Sequence, residues 1–180
     1  LRELRIHGRG GQGSVTAAEL IATAAFKSKI YSQAFPAFGV ERRGAPVQAF
    51  VRFDDKKVRL RSQIYEPDYI IVQDSTLIGD VNVFGGMKEG GIAIINTEKE
   101  IDGKVPEGVK IIKINATSIA LELLGLPIEN TTLIGAFAAA TDEIEFDALE
   151  EAFRERFAGS LAEKNMAAAR KAYDIVKRGA

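Results

Sequence analysis

Near the start of the chain the run Gly8-Arg9-Gly10-Gly11-Gln12-Gly13 satisfies the pattern G-x-G-x-x-G through Gly8, Gly10 and Gly13. Glycines at this spacing allow backbone N–H groups to approach a phosphate closely. A helix that follows directly adds unpaired N–H groups and a dipole that favour the same anion. The spacing serves equally well as a tight strand-to-helix turn that holds no ligand. Farther along, Arg42 and Arg43 stand side by side in a segment rich in proline and glycine. Paired guanidinium groups are well suited to phosphate oxygens, although Glu41 and Arg42 can also simply order their own loop or meet another chain.

A glycine loop that holds a dinucleotide expects an acidic residue about 20 positions later, to take the ribose hydroxyls. No acidic residue occurs between Glu19 and Glu41. That counts against NAD and leaves a ligand with a phosphomonoester, such as NADP or coenzyme A. Other chemistries are excluded by composition. With no cysteine the chain has no disulfide, no cysteine nucleophile, no thiolate-held zinc and no cysteine-ligated iron–sulfur cluster. The single histidine, His7, rules out multi-histidine metal sites and is read as structural. No catalytic residue and no metal ligand is therefore assigned.

These residues need elements to hold them. Leu4 and Ile6 suggest a strand that enters the glycine loop, and Val15, Ala18, Ala22, Ala25 and Phe26 form the apolar face of a helix that leaves it. A strand over residues 31–35 precedes an irregular loop. Alternation at Val47, Ala49, Val51 and Phe53, then Val58 and Leu60 beyond an Asp54–Asp55 turn, predicts a β-hairpin. Its other face would carry Arg52, Lys57, Arg59 and Arg61, facing solvent or another subunit. The runs YIIV, IAIIN and VKIIKI are short and β-branched, so they read as buried strands. Helices are predicted over 75–84, 117–124 and 131–140, and two more in the C-terminal part, started by Asp147 with Glu150 and by Ser160 with Glu163. Together they give one α/β domain over residues 1–180: a three-layer α/β/α arrangement around a mixed, Rossmann-like sheet, with a helical C-terminal tail.

The 180 residues carry 24 Lys and Arg against 25 Asp and Glu, so no global field attracts nucleic acid or an anionic membrane. No apolar stretch approaches the roughly 18 residues of a membrane span, and the first residues lack the apolar core of a signal peptide, so the cytoplasm is expected.

Three segments, RIHGRGGQG, QAFPAFGVERRGAPVQAFVR and NTTLIGA, together resemble the gamma subunits of 2-oxoacid:ferredoxin oxidoreductases. The run from Glu41 through Arg42 to Gly44-Ala45-Pro46-Val47 is similar to the pyruvate branch, pyruvate synthase, more than to the E-x-R-G-G form of other branches. Val40 stands where a proline often precedes the glutamate, and Arg43 fills a variable position. The resemblance covers nearly the whole chain. It implies a complex with alpha, beta and delta subunits that decarboxylates a 2-oxoacid, passes electrons to ferredoxin and releases acyl-CoA. Thiamine diphosphate, magnesium and the [4Fe–4S] clusters would sit on the partner subunits, none of them bound by this chain alone. This chain would border the active centre and help receive coenzyme A as substrate.

The residues that the resemblance assigns to that task are Gly8, Gly10, Gly11, Gln12, Gly13, Glu41, Arg42, Arg43, Gly44, Asn130, Thr131 and Asn165. Asn130 is also a good helix N-cap, and Asn165 also suits an exposed helix position. Three other readings stand beside this one: a gamma subunit serving another 2-oxoacid, a free-standing nucleotide-binding oxidoreductase, and a purely structural or assembly subunit that holds no ligand.

Overall fold

The computed structural model describes residues 1–37, 39 and 42–179. The chain runs β1 (Arg2–Arg9), α1 (Ser14–Lys27), β2 (Tyr31–Pro36), β3 (Pro46–Asp54), β4 (Tyr69–Val72), α2 (Leu77–Asp80), β5 (Ile92–Asn96), β6 (Lys110–Ile114), α3 (Ala116–Leu124), α4 (Asn130–Thr141), α5 (Phe146–Arg156) and α6 (Gly159–Gly179). The strands form one mixed sheet in the order β2-β3-β1-β4-β5-β6. β1, β4, β5 and β6 are parallel, and β3 lies antiparallel between β1 and β2.

Strand periodicity sorts the side chains onto two faces. Leu4, Ile6, Ala49, Val51, Phe53, Ile71 and Ile94 join one core with buried residues of α1, α3, α4, α5 and α6. All five long helices pack there. On the opposite face Ile70, Val72, Ala93 and Ile95 are covered by Leu77, Val83 and Phe84, so the third layer is the four-residue α2 with irregular chain around it.

Under the rest of that thin layer lie two buried arginines. Arg52 donates to Glu3 Oε1 at 2.8 Å and to the Ser62 carbonyl at 2.7 Å. Arg5 donates to the carbonyls of Ile64, Val83 and Gly85, at 3.3, 3.0 and 2.6 Å. Both side chains satisfy loop carbonyls that would otherwise be buried without a partner.

The predicted hairpin needs correction. Residues 57–61 are not a strand, because β1 and β2 already occupy both edges of β3 and leave no ladder for Val58 and Leu60 to join. Arg52, expected on a solvated or inter-subunit face, is 1% exposed because the chain after β3 folds back over it. Lys57, Arg59 and Arg61 are exposed.

Helix ends also shift. The 75–84 segment is helical only over Leu77–Asp80, a stretch weakened by Gly79 and ended by the extended, β-branched Val81. α5 begins at Phe146 and α6 at Gly159, which places Asp147 and Ser160 inside the first turns instead of at the caps. Phe26, expected on the apolar face of α1, points outward and is exposed, while Ala17, Leu20, Ile21 and Ala24 are buried instead.

α4 shows no one-sided pattern because Asn130 through Ala139 are all buried. It packs against α6 so closely that a Cβ on Gly135 would sit 2.7 Å from the Ala169 Cα. The glycine of the NTTLIGA motif thus has a packing role.

Candidate functional site

In open α/β sheets the binding crevice lies beyond the carboxyl ends of the parallel strands. Here that rim is formed by the loops after β1, β4 and β5, together with the start of α4. The antiparallel β3 brings its own first residues to the same rim, so the 42–45 segment crosses the glycine loop. Gly10 N–H donates to the Ala45 carbonyl at 2.8 Å, and Gly44 N–H to the Gly10 carbonyl at 3.0 Å.

Several of the glycines answer a specific constraint. A Cβ on Gly10 would fall on the Arg42 carbonyl, with its carbon 2.9 Å away. One on Gly13 would lie 2.5 Å from Asn130 Nδ2, and Gly13 itself has φ +76° as it opens α1. Gly11 has φ +93° and open space around it, so backbone conformation is what selects glycine there. One on Gly8 would strike Ser14 Oγ and Gln73 Oε1. The loop therefore combines close approach with left-handed turns, and hands the chain to a helix whose first turn carries no acidic residue and whose N-cap has no side chain.

Gln12 closes the loop on itself. Its Oε1 accepts from Arg9 N–H at 2.7 Å and its Nε2 donates to Asp74 Oδ2 at 3.3 Å. Gln73, just past β4, donates to the Gln12 carbonyl at 3.2 Å and accepts from the Ser14 hydroxyl. Asn96, at the end of β5, donates to the Gln73 carbonyl and to Thr117 Oγ1, both at 2.9 Å, while its Oδ1 accepts from Ala116 N–H at 2.9 Å. Burial opposes ionisation of Asp74, but the Thr76 hydroxyl and N–H, Gln12 and the charge of Arg9 hold its carboxyl below the usual range.

The structure brings most of the predicted residues together. Asn130 is the first residue of α4, after Glu129 at the cap, and not the cap itself. Its Oδ1 accepts from Thr131 N–H at 2.9 Å and its Nδ2 donates to the Gly13 carbonyl at 3.3 Å. It thus satisfies a helix-terminal N–H and pins the glycine loop at once. Thr131 Oγ1 donates to Asn165 Oδ1 at 2.6 Å, and Asn165 Nδ2 to the Leu161 carbonyl at 2.9 Å. Asn165 is 3% exposed, which removes the exposed-surface reading and places it behind Thr131, one layer back from the loop. Arg42 and Arg43 are exposed beside the loop, Arg43 bridging to Gly10. Glu41 lies outside the described residues.

Sequence reasoning missed Glu129, Gln73, Asp74 and Asn96. Gln73, Asp74 and Asn96 stand at the carboxyl ends of the buried runs YIIV and IAIIN, and that position was their signal.

His7, one residue ahead of the loop, accepts from Arg5 Nε at 2.9 Å. Burial first, and the Arg5 charge second, push its pKa down to about 3, so it stands neutral and structural. Among the described residues no group of three or more His, Cys, Asp or Glu is placed to hold a metal ion. No helix among them is long and apolar enough to cross a membrane.

The chain is similar to "Pyruvate synthase subunit PorC" of Methanocaldococcus jannaschii, with 54% identity over 172 residues, covering 96% of this chain and 95% of that one. It is similar also to "Pyruvate/ketoisovalerate oxidoreductases common subunit gamma" of Thermococcus kodakarensis, 53% identical over 176 residues, with 96% and 95% covered. Among solved structures, the crystal structure of pyruvate oxidoreductase subunit PORC from Thermotoga maritima superposes with a TM-score of 0.85 at 33% identity, covering 96% of this chain and 95% of that one. The glycine loop, the 42–45 segment strapped across it and the NTTLIGA helix all fall within residues 3–175, the span matched by the model of one family, and the chain belongs to that family, pyruvate ferredoxin/flavodoxin oxidoreductase.

Proposed function

We propose that the chain is the gamma subunit of an oxidoreductase that decarboxylates pyruvate, reduces ferredoxin and forms acetyl-CoA, and that its glycine-loop crevice receives coenzyme A. The observation that carries the reading is identity above half, along nearly the whole chain, to proteins named as pyruvate synthase and common gamma subunits. The rim geometry supports the coenzyme A assignment. It offers an uncapped helix N-terminus, glycines at close approach and two exposed arginines to an anion, and phosphates are the anionic part of coenzyme A. Thiamine diphosphate with magnesium and the [4Fe–4S] clusters belong in this reading to alpha, beta and delta partners in the cytoplasm. They supply the decarboxylation and electron transfer, while this chain binds, orients and shields the thiol substrate. The name common gamma subunit also keeps a branched 2-oxoacid open as a second substrate.

The test uses the enzyme assembled from all its subunits. Arg42→Ala and Arg43→Ala should raise the KM for coenzyme A about tenfold or more, while pyruvate-dependent reduction of the clusters without coenzyme A survives. Variants with an unchanged KM that fail to co-purify with the partner subunits would make the 42–45 segment an interface.

A further inference from the structure

The loop before α4 buries a carboxyl group that the fold itself does not use. Glu129 is only 5% exposed. Among the described residues its carboxyl meets no hydrogen-bonding group but its own backbone N–H. It lines two adjoining crevices, one with Gly11, Gln12, Gly13 and Asn130, the other with Gln12, Asp74, Asn96 and Thr117. No side chain of the fold donates to it among the described residues, and the amides around it are turned to other partners. Gln12 is bonded to Arg9 and Asp74, Gln73 to Gln12 and Ser14, and Asn96 to Gln73, Thr117 and Ala116. The carboxyl opens onto the two crevices, and a ligand seated there would bring a donor to it in place of water.

We infer that Glu129 receives a hydrogen bond from a ribose hydroxyl of a nucleotide-bearing ligand whose phosphate rests on the glycine loop. The inference rests on the coenzyme A reading above and names the group that recognises the nucleoside end. Two observations converge on it. The unpaired N–H groups at the start of α1 suit an anion, and the buried acid across the same crevice suits a hydroxyl. Nucleotide sites on α/β sheets divide their work in the same way. The acid absent from the segment after the first helix is supplied here from the opposite wall, at the start of α4. Burial, reinforced by the charge of Asp74, raises the Glu129 pKa, as befits a carboxyl awaiting a donor.

The test measures equilibrium binding to the assembled enzyme by calorimetry, with coenzyme A and with 2′-deoxy-coenzyme A as probes. The wild-type enzyme should bind the deoxy probe about 10- to 150-fold more weakly, the range for a hydrogen bond to a charged group. Glu129→Gln should weaken coenzyme A binding and lose most of that discrimination, a pattern that a merely structural role would not produce. Equal affinity of the wild-type enzyme for the two probes overturns the inference without any variant, and so does a Glu129→Gln enzyme that discriminates like wild type. Loss of subunit co-purification in Glu129→Gln would assign the carboxylate to a partner's cationic side chain and overturn it too. If coenzyme A does not bind to the wild-type enzyme at all, the coenzyme A reading fails first and this inference with it.

Discussion

Gly10→Ala is expected to undo the strap that crosses the glycine loop. The added Cβ would lie on the Arg42 carbonyl, 2.9 Å from its carbon, where ordinary contact begins near 3.4 Å, so the 42–45 segment must retreat by at least about half an ångström. Two backbone bonds depend on its place, Gly10 N–H to Ala45 and Gly44 N–H to Gly10, at 2.8 and 3.0 Å. At about 0.5–1.5 kcal/mol each, their loss amounts to about 1–3 kcal/mol. For a chain of this size that lowers the melting temperature by about 2–12 °C. Gly90→Ala, at the amino end of β5 on the opposite rim, is the control. Its Cβ would meet nothing within 4 Å, and φ +78° costs an alanine about 1–2 kcal/mol without moving the strap. Urea denaturation of the purified chain and the KM for coenzyme A in the assembled enzyme read the two effects. Gly10→Ala should lose stability and raise the KM, whereas Gly90→Ala should lose only stability. A Gly10→Ala protein with wild-type midpoint and KM would refute the strap as an organiser of the site.

Two further outcomes follow from the same structure. Gly135→Ala should destabilise by about 1–3 kcal/mol, against the usual gain of alanine over glycine inside a helix, because α4 and α6 must part to admit the Cβ; chemical denaturation giving a more stable protein would contradict that close contact. His7 titrates near 3 when folded against 6.5 unfolded, so the unfolded chain binds the extra proton. Stability should then fall as pH drops from about 6.5 toward 3, by up to about 1.4 kcal/mol per pH unit from this residue; His7→Gln should flatten the slope, and an unchanged slope would mean that His7 is not held neutral.

Much of the frame was legible because local pattern and burial agreed. YIIV, IAIIN and VKIIKI became β4, β5 and β6, since a short β-branched run with turns at its ends has little else to form. The misread parts depend on what lies opposite. Val58 and Leu60 alternate like a strand, but pairing needs a free edge, and β3 had none. Arg52 sits on the side of β3 away from the helices, where periodicity reports two faces but not that returning chain covers the second. Asn165 was readable in principle, since it falls three residues after Ala162 and four before Ala169 on the buried stripe of α6. In the site, the glycine loop announced itself by spacing. Glu129 did not, because a single acid before a helix resembles any capped terminus until the loop facing it is known.

The reversed direction of β3 has a consequence for how the molecule can be altered. An antiparallel strand among parallel ones starts where they end, so the 42–45 segment joins the loops after β1, β4 and β5 on one rim, and the chain leaving β3 at Asp54 emerges on the other. The exposed run from Asp55 to Lys57 therefore stands a full strand length from the crevice. A reporter or affinity handle inserted there would stay clear of the glycine loop, while the same insertion at Gly44 would lengthen a segment that lies across it.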